Sequence, residues 1–535
     1  MKRFKNSVYL FPGLFLVIVF MIIPLVITIM PTFINNGFTI ENYTAVLTDS
    51  FYQSILIRTI RIGLVTTLVC FLLGFPTAYF IVTGSALRRK LTMALVLFPL
   101  FTNAVIRGFA WITILGKNGF LNQLLLGMKL IHEPIGFMYT EFSIIIGSVY
   151  LFLPVMVNTL VSVLSKVDGK LIEAAQTLGA KRGTIFKEIV LPLSFPGIVL
   201  GSVLVFTGTI SAYVTPSLLG GNKNMMLSTL LYQQSNELMN WQSASVFAFI
   251  MILLSAGVMR MMTYLSNRVD KRGYLMNRNR FLDSIAYLAI AFIGLPLLII
   301  TVTAFGEAPI IEFPIQGLTM KWFIKVFQSQ VFMDSFVLSL RISVLATILC
   351  MVIAIPASYA LVVTKGKWSE RFKSIFLAPS LIPSIVLAYA LYQYLVIQLH
   401  ISLNMALIIG HMLIVFPYTI RIICASLHDF DLSIHEASII LGCGQLEGFI
   451  KVVLPNIKDA LLSASIMGFI NSFNNLPVSM YLKGPGMNTL PGALMNHIEY
   501  NFDPIVSALS VILMVFTMVL MIIMDKGLSR KGAKI

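Results

Sequence analysis

Twelve apolar runs dominate this sequence, and each is near the length that carries a helix across a bilayer. A span takes roughly 20 mostly apolar residues. On that rule the first half gives runs at 9–30, 56–83, 93–115, 142–164, 195–218 and 243–265. The second half gives 281–304, 335–363, 374–397, 404–426, 461–482 and 504–524. Hydrocarbon offers no water to an unpaired peptide group, so such runs become helices. The expected fold is an all-α polytopic membrane protein with about twelve transmembrane helices in two parallel six-helix repeats. At 58% hydrophobic and 11% charged residues, no stretch is left for a soluble catalytic domain. The basic start, MKRFK, resembles a signal peptide. The apolar run behind it is too long and lacks a small-x-small cleavage site, so it reads as the first span.

Charge orients the runs. Lys and Arg crowd one set of loops: Lys2, Arg3 and Lys5, then Arg88, Arg89 and Lys90, then Lys166 to Lys187, Arg268 to Arg280, Lys365 to Lys373, Lys451 and Lys458, and Lys526 to Lys534. The opposite loops hold only a few, among them Lys117, Lys129, Lys223 and Lys483. Cytoplasmic loops collect basic residues. Both termini are therefore expected in the cytoplasm, and the formal net charge of +16 needs no nucleic-acid partner. Arg58, Arg61 and Arg341 sit near outer ends of spans and cut slightly against the bias. The four cysteines form no CxxC pair and the six histidines no HExxH, which leaves no metal or disulfide framework.

The halves are related. Arg61 matches Arg341, Cys70 matches Cys350 and Pro76 matches Pro356, a constant shift of 280 residues. From the fourth span the shift is 263: Gly147 matches Gly410, and Glu173 matches Glu436. About 17 extra residues thus lie between roughly 116 and 140. Residues 1–265 form the first repeat, 281–535 the second, and the basic stretch 266–280 the cytoplasmic linker. Six spans per repeat keep the two parallel.

One polar stretch occurs once per repeat, in the basic loops. Residues 173–192 read EAAQTLGAKRGTIFKEIVLP and residues 436–455 read EASIILGCGQLEGFIKVVLP. Glu173, Ala174 and Ala175 are followed by Gly179. Glu436 and Ala437 are followed by Gly442. Pro192 and Pro455 close the copies. The helix-forming start, the interrupting glycine and the proline that opens the next span predict a short helix-turn-helix at the span ends. One copy alone could be a solvated linker; two at matching places argue for a docking element. No GxxxxGK[ST] occurs in the chain, so it carries no phosphate-cradling loop of its own.

The paired pattern resembles the EAA loop of ABC importer permeases, and the resemblance covers nearly the whole chain, once per half. It implies that Glu173, Ala174, Ala175, Gly179, Glu436, Ala437 and Gly442 couple to two copies of an ABC ATPase, which would bind the ATP and Mg while this chain acts as a transport subunit and not an enzyme. It further implies an extracytoplasmic solute-binding protein and a bacterial inner-membrane location. Ser438 and Val452 are small departures from the pattern. Within the family, residues 98–125 and 216–231 look like the B-type permease of spermidine/putrescine importers, and 471–494 with 501–513 like the C-type partner. Related permeases carry aminoethylphosphonate, thiamine or ferric iron. An ATP-independent secondary transporter of two six-span repeats is the other class; it would not need paired EAA loops.

Polar residues at membrane depth mark the expected pathway: Asn103 and Arg107 in the third span, Ser211 and Tyr213 in the fifth, and Asn471, Asn474 and Asn475 in the eleventh. A lone cation there costs about 2.5–3.5 kcal/mol on insertion scales, so Arg107 requires a partner or a wet cavity. Polyamine permeases usually show acidic residues where this chain has Asn474 and Asn475. The acids, Glu237 and Glu499 among them, look peripheral, which keeps an anionic or zwitterionic cargo in play.

Overall fold

A computed structural model describes residues 8–34, 37–165, 177, 191–267, 280–364, 366–501 and 503–529. The described residues are helical, with no strand beyond two isolated bridges. In chain order the main helices are α1 (Phe11–Phe33), α2 (Ser50–Val82), α3 (Ala86–Phe101), α4 (Ala104–Leu115), α5 (Glu141–Leu164), α6 (Leu191–Ser211) and α7 (Trp241–Asn267). They continue with α8 (Arg280–Thr303), α9 (Gln330–Val363), α10 (Lys367–Leu377), α11 (Ser384–Leu391) and α12 (Leu403–Asp429). The last five are α13 (Ser433–Ile440), α14 (Lys458–Phe473), α15 (Pro477–Leu482), α16 (Leu490–Tyr500) and α17 (Ile505–Ser529). Nine helices among the described residues are long and apolar enough to cross a membrane, and three bent pairs raise the number to twelve.

The repeat shows in how helices begin. α2 starts behind Asp49, whose carboxylate accepts the Phe51 N–H at 2.7 Å. α9 starts behind Ser329, whose hydroxyl accepts the Phe332 N–H at 3.5 Å. The two caps are 280 residues apart, at equivalent positions. Each satisfies an N–H that the first turn leaves unpaired.

Three runs that read as continuous in the sequence are broken. The third bends by 101° between Ala86–Phe101 and Ala104–Gly127, and the ninth by 89° between Trp368–Ser380 and Ser384–Gln398. The breaks fall at Thr102–Asn103 and just before Ser384, again 280 residues apart. In the first, the Asn103 side chain takes the Val105 N–H at 2.8 Å and starts a new helix. In the second, Pro383 lacks the N–H that would continue the old one. The eleventh run, expected at 461–482, ends its helix at Phe473 and resumes at Pro477; its approach bends by 75° between Gln445–Asn456 and Lys458–Phe473.

The chain forms two compact units, which do not follow the sequence halves. One comprises 1–31, 329–493 and 512–535; the other comprises 32–328 and 494–511. Each unit thus takes in the opening span of the other repeat. In the first, α1 packs along α9 to α12, and Gly13 lets the rings of Phe376 and Phe416 approach so closely that a Cβ there would lie 3.0 Å from each. In the second, α8 packs on α2, α3 and α4.

The second unit's core joins Cys70, Phe75 and Tyr79 of α2 to Val149, Leu153, Met156 and Leu160 of α5, with Leu282, Ala289 and Ile293 of α8. Met156 sits between glycines of two helices: a Cβ on Gly74 of α2 would lie 2.8 Å from it, and one on Gly201 of α6 2.5 Å. Apolar side chains gain little from leaving lipid, so close packing against small residues holds such helices together. Arg58 and Arg61, which cut against the charge bias, both pair with Glu141 at the head of α5. Among the described residues the cysteines are free, and no group of His, Cys, Asp or Glu could hold a metal.

Candidate functional site

The second polar loop is described throughout. α13 carries Glu436, Ala437 and Ser438 and ends at Ile440. The chain then turns at Gly442, whose φ of +100° lies in the left-handed region. The turn is closed by Leu441 N–H to Ala437 O at 3.0 Å, Gly442 N–H to Ile439 O at 3.1 Å and Cys443 N–H to Ser438 O at 3.1 Å. A Cβ on Gly442 would meet nothing within 4 Å. The glycine is therefore there for its backbone and not for close packing. Helix resumes at Gln445 and runs through Pro455 to Asn456.

This loop is fixed from beneath and apolar on top. His435 is buried at 4% exposure, edge-on to the Tyr359 ring at 5.8 Å. Gly448 crosses so near that a Cβ there would lie 3.0 Å from the imidazole and 2.7 Å from Ser438 Oγ. Burial pushes the His435 imidazole below its ordinary value. On the opposite face Ile440 and Leu441 are 85% and 86% exposed, and Leu446 is exposed too. The first loop, with Glu173, Ala174, Ala175 and Gly179, lies outside the described residues.

In the second unit, Asn103 and Arg107 frame the break between α3 and α4. Asn103 is buried and caps α4. Arg107 Nη1 donates to the carbonyl of Pro99 at 2.8 Å, reaching back to the last turn of α3. Ser211 closes α6 and donates to Thr207 O. Tyr213 is buried with its ring 4.9 Å from that of Tyr232. The carboxylates of Glu499 and Glu237, peripheral in the sequence, lie within electrostatic reach of both rings.

In the other unit, Asn471 is turned onto its own helix, donating to Met467 O at 2.8 Å. Asn474 ends α14. Asn475 Oδ1 takes the Val478 N–H at 3.0 Å, starting α15. Asn103 and Asn475 thus do the same local work, opening a new helix after a break. His411 is the residue that the sequence reading passed over. It is buried on α12, 2.8 Å from Ser472 Oγ and 3.1 Å from Ser479 Oγ, and so ties α14 to α15 across the break. Its signal was available: one histidine inside the apolar run LNMALIIGHMLIVF.

The family model described as binding-protein-dependent transport system inner membrane component matches residues 12–271 and 352–531. The chain belongs to that family. Spermidine/putrescine transport system permease protein PotB of Escherichia coli is 33% identical over 238 residues, 44% of this chain and 86% of the relative. The Haemophilus influenzae protein of the same name is 32% identical over 247 residues, 45% and 86%. A probable ABC transporter permease protein of Sinorhizobium fredii, y4fN, is 24% identical over 388 residues, 68% of each. Among solved structures, a chain of a bacterial ABC transporter involved in the import of alginate aligns with 18% identity and a TM-score of 0.42, covering 50% of this chain and 97% of that one. As an ABC importer inner-membrane permease, the chain is a transport subunit.

Proposed function

We propose that this chain is a permease of a polyamine importer, driven by two copies of a separate ATPase and fed by an extracytoplasmic binding protein. The loops at 173–192 and 436–455 dock the ATPases, one each, from the cytoplasmic side, where both termini also lie. ATP and Mg are bound by those partners. The observation that carries the coupling is the geometry of the second loop: a rigid turn at Gly442 that presents Ile440 and Leu441 to the outside over a packed base. Two large apolar side chains so exposed in a polar loop suit a protein cleft. ATP-driven closure of the partners would pull on the loops and alternate access to the path.

The polyamine reading rests on the similarity to PotB and on Tyr213 and Tyr232, a ring pair with the carboxylates of Glu237 and Glu499 nearby. Aromatic faces and carboxylates together suit an ammonium group. Arg107 favours a second reading, an anionic or zwitterionic cargo such as aminoethylphosphonate; thiamine and ferric iron complete the set. The test is uptake of labelled putrescine by vesicles holding the permease, its ATPase and its binding protein. ATP-dependent uptake, competed by spermidine and abolished when Ile440→Glu and Leu441→Glu release the ATPase, is the expected result. Competition by aminoethylphosphonate and not by spermidine would overturn the polyamine reading. Uptake that persists without the ATPase would overturn the coupling.

A further inference from the structure

Helix α4 carries Asn103, Arg107 and Trp111 at successive turns of one face. Asn103 Nδ2, Arg107 Nε and Trp111 Nε1 are sealed from solvent, and none has a hydrogen-bond partner among the described residues. The hydroxyl of Tyr150, on α5, is in the same position. Asn103, Trp111 and Tyr150 are 2%, 5% and 0% exposed. Buried donors are normally satisfied, because leaving one unmade forfeits its hydration for nothing. Arg107, Trp111 and Tyr150 lie together, and three unmet donors in one neighbourhood point to an acceptor supplied from outside the chain.

The geometry narrows the site. The Trp111 and Tyr150 rings meet edge to face at 5.8 Å. Phe292 of α8 closes over them, 5.3 Å from Trp111 and 6.0 Å from Tyr150. The result is an aromatic wall beside a guanidinium, with Asn103 one turn further toward the break. Arg107 spends one N–H on Pro99 O, and no carboxylate pairs with it among the described residues. The N-terminus of α4 adds positive potential at this point. Half-helix N-termini of broken spans are where membrane transporters receive negative groups.

Water answers this poorly. It would bring two hydrogens of its own into a wall of donors and leave the guanidinium charge uncompensated. An anion brings acceptor capacity alone and cancels the charge. We propose that Arg107, Trp111 and Tyr150 hold a small inorganic anion, a halide in type, that neutralises Arg107 beside the break in this span. The proposal does not depend on the cargo. It applies equally to a polyamine path, where an unneutralised Arg107 would repel the cargo.

The four tryptophans are Trp111, Trp241, Trp322 and Trp368. A full-length chain with Trp241→Phe, Trp322→Phe and Trp368→Phe leaves Trp111 as the sole fluorophore, and bromide quenches indole on contact. Bromide is titrated at constant ionic strength against the chain in nanodiscs. Saturable quenching, reversed by chloride, is expected. Tyr150→Phe removes a single hydroxyl and should weaken half-saturation roughly ten-fold, as loss of one hydrogen bond to a charged group does; Arg107→Gln should abolish saturation. Quenching that rises linearly without saturation, or that is unchanged by Tyr150→Phe, overturns the proposal even if Arg107→Gln fails to insert.

Discussion

His411 Nδ1 lies 2.8 Å from Ser472 Oγ, and the direction of that bond follows from its neighbours. Ser479 spends its only hydrogen on Asn475 O at 2.9 Å. The 3.1 Å contact with His411 must therefore run from Nε2–H to Ser479. In a neutral imidazole the other nitrogen then accepts, so Ser472 donates to Nδ1. One ring fixes the end of α14 and the start of α15, with Asn474 and Asn475 between them.

His411→Leu should therefore lower stability by about 1–3 kcal/mol, because the Ser472 hydroxyl loses its imidazole partner while Ser479 keeps Asn475 O. The matching position in the first repeat is Ser148, whose hydroxyl has no hydrogen-bond partner among the described residues. Ser148→Ala should be near neutral. Thermal unfolding of the two variants in one detergent checks the contrast.

Gly442 and Gly444 are two residues apart and should behave oppositely. Gly442 has φ +100°, where a side chain costs about 1–3 kcal/mol. Gly444 has φ −64° and precedes the next helix, where serine is a preferred cap. Gly442→Val should uncouple ATP hydrolysis from uptake while the chain still inserts, and Gly444→Ser should transport normally. Equal transport by both variants would contradict the strained-turn account.

Asn475 holds the first turn of α15, through the Val478 N–H, before it is anything else. Asn475→Asp keeps an oxygen for the Val478 N–H, whereas Asn475→Leu loses that bond at a cost of about 0.5–1.5 kcal/mol. Unfolding midpoints should order wild type and Asp above Leu. If cargo is a polycation, Asp should also support uptake at least as well as Asn.

The base of the second loop should be sensitive to acid. Burial holds the His435 imidazole below its ordinary value, so the unfolded loop binds a proton before the folded one does. Stability is then complete above the ordinary histidine range of about 6.5 and falls as pH drops through it. Hydrogen exchange of amides 433–448, corrected for intrinsic rates, should quicken between about pH 7 and pH 5.5. Unchanged protection over that interval would show that His435 does not carry this linkage.

Fold class was legible because apolar length and charge bias are coarse properties that a bilayer imposes on any sequence. The breaks were not. The third run, 93–115, has the composition of one span, and only the competition of Asn103 for its own backbone divides it. The bond of Asn475 to the Val478 N–H was equally illegible, since an isolated side chain does not say which N–H it will take. Glu237 and Glu499 are exposed, as a peripheral place would have them; what the sequence did not show is their electrostatic reach to Tyr213 and Tyr232, since Glu499 lies far along the chain from both. His411 was hidden by its isolation: its two serines lie 61 and 68 residues away.

The exchange of opening spans has a consequence for biogenesis. Ribosomes deliver residues 1–265 before α8 and long before 494–511, yet the unit built on α2 to α7 needs both to be complete. During synthesis the face of α2 and α4 that receives α8 is bare, and α1 waits for a bundle that does not yet exist. A nascent chain halted at the linker is thus a membrane protein with a missing wall and a spare helix, and it should be a substrate for membrane quality control. Fusing the two repeats brings α8 to its place after one linker, and lets the same polypeptide supply 494–511 and the partners of α1 as synthesis continues. For two separate polypeptides the same repair would wait on a collision in the bilayer.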